Sequence, residues 1–317
     1  MLSHALQMHK VVSKSCLTLE DQQRFWRRLH HHILHQVDLR ENRKNAVWID
    51  VIYRPNETWE VYLSAPPELT PYLSKWFRKD RKRVNKVEID LSPLDDPQIL
   101  TVPKGVSICE LKLAFDNLFA LSSDAPSILP EVLPLNNGEL ARISFCLRPI
   151  PAVMWNVHKT SLFESKMQEG IRMGRGRVEA AGWLRVLLFY LGQWLGRIFS
   201  VKRPSMPDVN WLSQGTLRKL NDSHFETNIR IVAPQRLIPK LARPFQGEGG
   251  ENHLVISFMP RKEEKSIGKE LERQRLSLLT RSDLNPNILG SREISSLLSF
   301  FPRIQEIKQE KASPNLQ

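Results

Sequence analysis

Apolar positions recur along the chain with two different periods, and each period predicts an element. Leu19, Phe25, Trp26, Leu29, Ile33, Leu34 and Val37 fall at helical spacing within 18–37, and Thr18 is placed to cap the start of that helix. The stretches AVWIDVIY (46–53) and TWEVYLS (58–64) read instead as strands, joined by the turn-forming Arg54, Pro55 and Asn56 into a hairpin. A second helix is expected over 67–79, with Leu69, Tyr72, Leu73, Trp76 and Phe77 on its apolar side, followed by an alternating strand over 86–91. Helix, hairpin, helix and strand form one small layer, because each element has an apolar face that another must cover.

The same order of elements then recurs. Strands are expected over 106–115 and 139–148, separated by a short helix around 116–121 and a loop over 126–138. Helical patterns cover 158–170 and 183–200, with Gly170, Gly174, Gly176 and Gly182 interrupting between them. A strand over 224–232, a helix over 234–241, a glycine turn over 247–250 and a strand over 253–258 complete the unit. The repeat is one of element order, with no sequence identity visible between the halves. The fold class expected is therefore α+β, built as two small mixed α/β sandwich-like subdomains, that is, ferredoxin-like layers. The expected boundaries are 1–100 for the first subdomain and 101–260 for the second, which carries the apolar helix 183–200 as an insertion. Residues 261–317 form a charged linker and a short C-terminal helix over 291–301, since 261–279 is dense in Lys, Glu and Arg and has few apolar positions.

The stretch WLRVLLFYLGQWLGRIF (183–199) stands apart from this pattern. Its uncharged run between Arg185 and Arg197 is 11 residues long, short of the roughly 18 expected of a spanning helix. On a helix, Trp183, Leu187, Leu191, Trp194, Leu195 and Ile198 cover most of the surface, while Arg185, Gly192, Gln193, Gly196, Arg197 and Ser200 gather on one side. Burial in a core, burial in the interface of a membrane, and burial against a partner all fit that pattern. Flanking charge bears on the choice: residues 166–203 hold eight Lys or Arg against Glu169 and Glu179, a balance that anionic headgroups attract.

Charge extends this over the whole chain. The 317 residues carry a formal net charge of +12, which predicts attraction to a polyanion, either DNA or an anionic bilayer. Candidate phosphate or headgroup contacts are Lys75, Arg78, Lys79, Arg81, Lys82 and Arg83, with Arg172, Arg175 and Arg177 in the stretch GIRMGRGR. Trp76 and Phe77 lie inside the first basic run, but they share a helical face with Leu69 and Leu73, which favours a core role over base stacking. Three cysteines, Cys16, Cys109 and Cys146, imply no disulfide framework and suit a reducing cytoplasm. The N-terminal MLSHALQMHKVV lacks the apolar core of a secretory signal. A cytoplasmic protein is expected, with peripheral attachment at the inner face of the cell membrane as the further expectation.

Signals for chemistry are sparse. The glycines do not build a phosphate-binding loop ending in Gly-Lys-Ser/Thr, and no GxSxG or HExxH occurs. His31 and His35 sit four apart, as two zinc ligands would, but the remaining ligands are missing and a solvated helix face is favoured for His30, His31, His32 and His35. No catalytic residue, metal or cofactor is expected. Cys146, within an apolar strand pattern, reads as a small buried side chain.

Three stretches carry a resemblance. GELARISFCLRPIPAVMW (138–155) resembles a strand ending in Arg-Pro that leads into a helix. LNDSHFETNIRIVAP (220–234) follows a K-L-x-x-x-x-F-E-x-x-I-R-I-V-A pattern counted from Lys219, and LGSREISSLLSFFP (289–302) is similar to an L-S-x-E-E-L-A-S-L-x-H-F-P segment. In this order they resemble the region preceding the motor in conjugative-transfer, type IV secretion-like ATPases, over roughly 45–315. The resemblance implies a non-motor part that positions a motor at a membrane secretion or conjugation complex. The sequence stops where the motor would begin, so no catalytic residue is carried over. The partners implied are a motor ATPase or secretion-complex subunits, with an anionic membrane surface and DNA as further candidates. A basic nucleic-acid-binding accessory protein, or a peripheral membrane protein of unrelated function, are the alternatives.

Overall fold

The alternation in 46–53 and 58–64 does become a hairpin, and it lies near the middle of a large antiparallel sheet. The computed structural model describes residues 7–13, 18–36, 46–55, 59–69, 71, 73, 89–93, 100–103, 105–115, 117–121, 129–157, 159–160, 213–246, 251–272 and 287–299. Its strands are β1 (Gln7–Ser13), β2 (Val47–Tyr53), β3 (Glu60–Ala65), β4 (Ile89–Pro93), β5 (Ser107–Leu113), β6 (Ala141–Pro149), β7 (His224–Ala233), β8 (Leu254–Phe258) and β9 (Asn287–Gly290). The helices are α1 (Leu19–Gln36), α2 (Gln214–Leu220), α3 (Ile238–Gln246), α4 (Arg261–Glu272) and α5 (Ser291–Leu297). The class is α+β.

Strand order shows how the repeat is built. The sheet runs β4-β1-β3-β2-β6-β7-β5-β8, with every neighbouring pair antiparallel. Numbered within each half, the first unit reads 4-1-3-2 from its outer edge, and the second reads 4-1-3-2 from the opposite edge. This is the strand order of a ferredoxin-like layer, present twice. The two layers meet through their second strands, β2 and β6, in register from Val47↔Leu147 to Tyr53↔Ala141. Asp50↔Ser144 is the middle pair of that seam, so a pseudo-two-fold axis passes through it. The expected boundary near residue 100 falls between β4 and β5, and the layers on either side of it share one continuous sheet.

Directly paired residues share a face of a sheet, and the two faces differ in chemistry. One face gathers Val11, Leu63, Ile49, Phe145, Ile229 and Leu111 into the main core, covered by α1 through Phe25, Trp26, Leu29 and Ile33 and by α3 through Ile238, Leu241 and Phe245. The α1 start forms as its sequence suggests, with the Asp21 N–H donating to Thr18 Oγ1 at 3.2 Å. The other face carries a row that crosses both layers: Lys10, Tyr62, Asp50, Ser144, Arg230, Glu110 and Ser257.

Several elements differ from expectation. β1 and β9 were not foreseen, and β9 pairs with the first part of β7 while β5 pairs with the rest. Residues 261–272, expected within the charged linker, form α4, which buries Ile267 and Leu271 against Ile108 and Val232. That spacing of four places both side chains on one stripe. Residues 117–119 form a turn where a short helix was expected, and Leu121 bridges to Asn252. Past the 3-10 turn Pro67–Leu69, the helix expected over 67–79 lies largely outside the described residues.

Candidate interaction site

Every side chain expected to contact membrane, partner or phosphate lies outside the described residues, from Lys75 to Arg83, from Arg172 to Arg177 and from Trp183 to Ile198. What the structure does fix is where the second and third of these groups are attached. They belong to the connection between β6 and β7, the second and third strands of the second layer. In the first layer the equivalent connection is the short hairpin turn between Tyr53 and Glu60. In the second layer residues 150–223 occupy that place.

The root of this connection is held firmly. After β6 the chain turns at Ile150 and Pro151 and becomes helical over 152–157. Trp155 points inward, stacked on the His224 imidazole at 3.9 Å and 20°, and its indole N–H donates to the Leu220 carbonyl at 3.3 Å. Leu118, Ile150, Leu220 and Ile288 close round it as a small separate core. Turning Trp155 inward turns Val153, Met154 and Val157 outward, and all three are strongly exposed. At the other root, α2 begins at Ser213, whose Oγ accepts from the Thr216 N–H at 3.1 Å. Glu251 braces that start, accepting from the Ser213 N–H at 3.0 Å and from its hydroxyl at 2.6 Å. Desolvation alone would raise the Glu251 carboxyl, but the hydrogen bonds from Ser213 and Thr216 outweigh it and hold it below its ordinary range.

Two buried carboxylates tie the roots to the C-terminal elements. Glu293 Oε1 pairs with Lys219 Nζ at 3.1 Å and accepts the Leu121 N–H at 2.7 Å, while Oε2 accepts the Gly290 N–H at 2.6 Å. Burial pushes the Lys219 ammonium downward, and Glu293 opposes that push. Asp222 accepts from Ser291 Oγ at 2.6 Å, the Arg292 N–H at 3.0 Å and the Ser223 N–H at 2.8 Å, and pairs with Arg27 of α1 at 3.0 Å. Burial acts to raise its carboxyl, yet these donors hold it below the ordinary value. Gly290, at the start of α5, has no side chain with which to cap the helix, and Asp222 of the neighbouring segment takes that place.

The imidazoles lie just beneath. His30 of α1 meets the Ile150 carbonyl at 3.0 Å and the Phe225 ring edge-on at 5.1 Å. Desolvation lowers its pKa, and it lowers that of His224 further, to about 3. The solvated face expected for the histidine run therefore holds for His31, which is exposed, and is corrected for His30, which is buried because its position on α1 faces the sheet. Among the described residues no group of three or more His, Cys, Asp or Glu is placed to hold a metal ion. Cys146 is buried as expected, and burial pushes its thiol well above the usual range.

At the seam between the layers the second face of the sheet carries a buried ionic hub. Arg142 Nε donates to Asp50 Oδ1 at 2.9 Å and to Ser144 Oγ at 3.0 Å, and the Ser144 hydroxyl donates to the same carboxylate at 2.5 Å. The remaining guanidinium nitrogens reach the Leu100 carbonyl at 2.9 Å and the Leu271 carbonyl, in the last turn of α4, at 3.1 Å. One side chain thus binds both layers, α4 and the segment joining β4 to β5. Sequence reading missed this hub. Its signal was available, as an acid at the centre of the apolar VWIDVIY and a base near the start of the mostly apolar ARISFCLRP.

No helix among the described residues is long and apolar enough to cross a membrane. No protein-family model and no curated protein sequence matches the chain.

Proposed function

We propose that this chain is a non-enzymatic assembly module of a conjugative DNA-transfer or type IV secretion-like machine, positioning a partner ATPase at the membrane. The observation that carries the reading is where the three resembling stretches fall. Residues 138–155 supply β6 and the Trp155 turn, 220–234 supply β7, and 289–302 supply the end of β9 and α5. β7 pairs with β6 on one side and β9 on the other, so segments far apart in sequence form one contiguous block. This contiguity supports reading the three matches as one unit. The module would act by docking, through its basic charge and the connection 150–223.

The test is association in detergent-free solution between the full chain and the motor ATPase encoded by the same genetic element, read by pull-down and gel filtration. A stable complex is expected, and a chain that binds no such motor overturns the reading. The net charge of +12 favours a second reading, a nucleic-acid-binding accessory protein. That reading requires DNA affinity falling steeply with salt, and absent or salt-independent binding removes it.

A further inference from the structure

We infer that Val153, Met154 and Val157 are the first membrane-contacting side chains of this protein, and that they seat the root of the β6–β7 connection on an anionic phospholipid surface. The inference deepens the membrane part of the proposed function and names residues that the sequence reading left out. Its first support is geometric. Relative exposures of 75%, 62% and 67% for Val153, Met154 and Val157 place three large apolar side chains in water within five residues. Scattered single exposures of this kind are ordinary, but this cluster is held out by its neighbour. Trp155 is fixed by the stack on His224 and the bond to the Leu220 carbonyl, so the turn cannot roll inward to hide its apolar side without losing both. Leu217 on α2, one turn before Leu220 in the same small core, is exposed as well.

The second support is charge, which decides between a lipid surface and a protein partner. Residues 166–203, which follow directly, hold eight Lys or Arg against two Glu and include Trp183, Tyr190 and Trp194. Apolar insertion next to clustered cations and interfacial aromatics is the composition that binds anionic bilayers. A second copy of this chain would bring the same cations together and be repelled. The described part of the exposed turn ends at 160, six residues before this cationic stretch begins in the sequence.

The test is flotation of the full chain with phosphatidylcholine vesicles, with and without phosphatidylglycerol. Wild-type protein is expected to float with the phosphatidylglycerol-containing vesicles and to be released by salt. The triple variant Val153→Ser, Met154→Gln, Val157→Ser leaves Trp155 and all charges in place and is expected to bind at least tenfold more weakly. A site-specific readout guards against a merely misfolded variant. In a Cys16→Ser background, with Cys109 and Cys146 buried, an environment-sensitive fluorophore on Met154→Cys is expected to shift to the blue on binding such vesicles. Unchanged flotation of the triple variant, or no spectral shift, overturns the inference. Loss of a dimer on gel filtration, with no flotation of either protein, also overturns it and assigns the stripe to a second copy. Motor pull-down in solution is read separately: a chain that floats but binds no motor sinks the proposed function alone, and one that binds a motor but never floats sinks this inference alone.

Discussion

The first and second layers share one strand order and differ in how their second strand returns to their third. In the first layer β2 reaches β3 through only the few residues between Tyr53 and Glu60. In the second, β6 reaches β7 through residues 150–223, whose roots recruit a stacked Trp–His pair, a buried Lys–Glu pair and a four-donor aspartate. The difference teaches where a duplicated fold becomes free to diverge. A hairpin turn lies at the end of the ladder, so lengthening it disturbs no strand pair and costs little closure entropy. Holding a long insertion in one orientation then requires polar groups that the plain layer lacks.

The most forceful way to break the comparison is to cut the seam that both layers share. Arg142→Ala removes the guanidinium that pairs with the fully buried Asp50 and is expected to lower stability by about 3–5 kcal/mol. Urea unfolding followed by tryptophan fluorescence and far-ultraviolet circular dichroism should show one earlier transition for the whole sheet. Two separated transitions would mean that the layers stand independently.

A smaller and more selective break uses pH. Burial holds His224 neutral, with its pKa lowered from 6.5 to about 3. Its contribution to stability is therefore complete above 6.5 and is lost as pH falls below it. At about 1.4 kcal/mol per pH unit, roughly 2 kcal/mol should be gone by pH 5, with His30 adding loss in the same direction. His224→Phe retains an aromatic partner for Trp155 and should flatten this slope in urea titrations between pH 7 and 5. An unchanged slope would show that the second layer does not depend on the neutral imidazole.

Two substitutions sharpen the comparison from either side. Gly290→Ala would place a Cβ 3.0 Å from Asp222 Oδ2, so the carboxylate that braces the second layer must move. The expected cost is about 1–2 kcal/mol, measured by thermal unfolding, and loss of the Arg27–Asp222 pair should make it less than additive with Arg27→Ala. Thr18→Ala removes the cap of α1 in the first layer and should cost about 1 kcal/mol. Native-state hydrogen exchange should show that loss as fraying of the first turn of α1, with the roots of the insertion unaffected.

The sequence reading found the parts of the fold where one face is clearly apolar. The β2–β3 hairpin, α1 and the strands over 107–113, 141–149 and 224–233 were legible because their alternation or helical spacing is long. β9 was not, because Asn287–Gly290 is too short for any period to show. β1 was missed because its buried His9 and its Lys10 interrupt the apolar count, although both sit in a paired strand. The dense charge of 261–272 concealed Ile267 and Leu271, whose stripe is only two residues wide. The apolar-aromatic insertion was recognised as unusual from composition alone. Its roots at Trp155, His224 and Asp222 were not, since each acts through a partner tens of residues away and no local pattern marks such a contact.

The pairing of β9 with β7 has a mechanical consequence. Among the described strands, β7 alone holds three neighbours, β6, β5 and β9. Tension applied to the residues that follow α5 would arrive first at the Gly290–Glu293 clasp and then at the ladder between Asn287 and Thr227. A pull there would load an interior strand of the second layer, next to the seam, instead of peeling an outer edge.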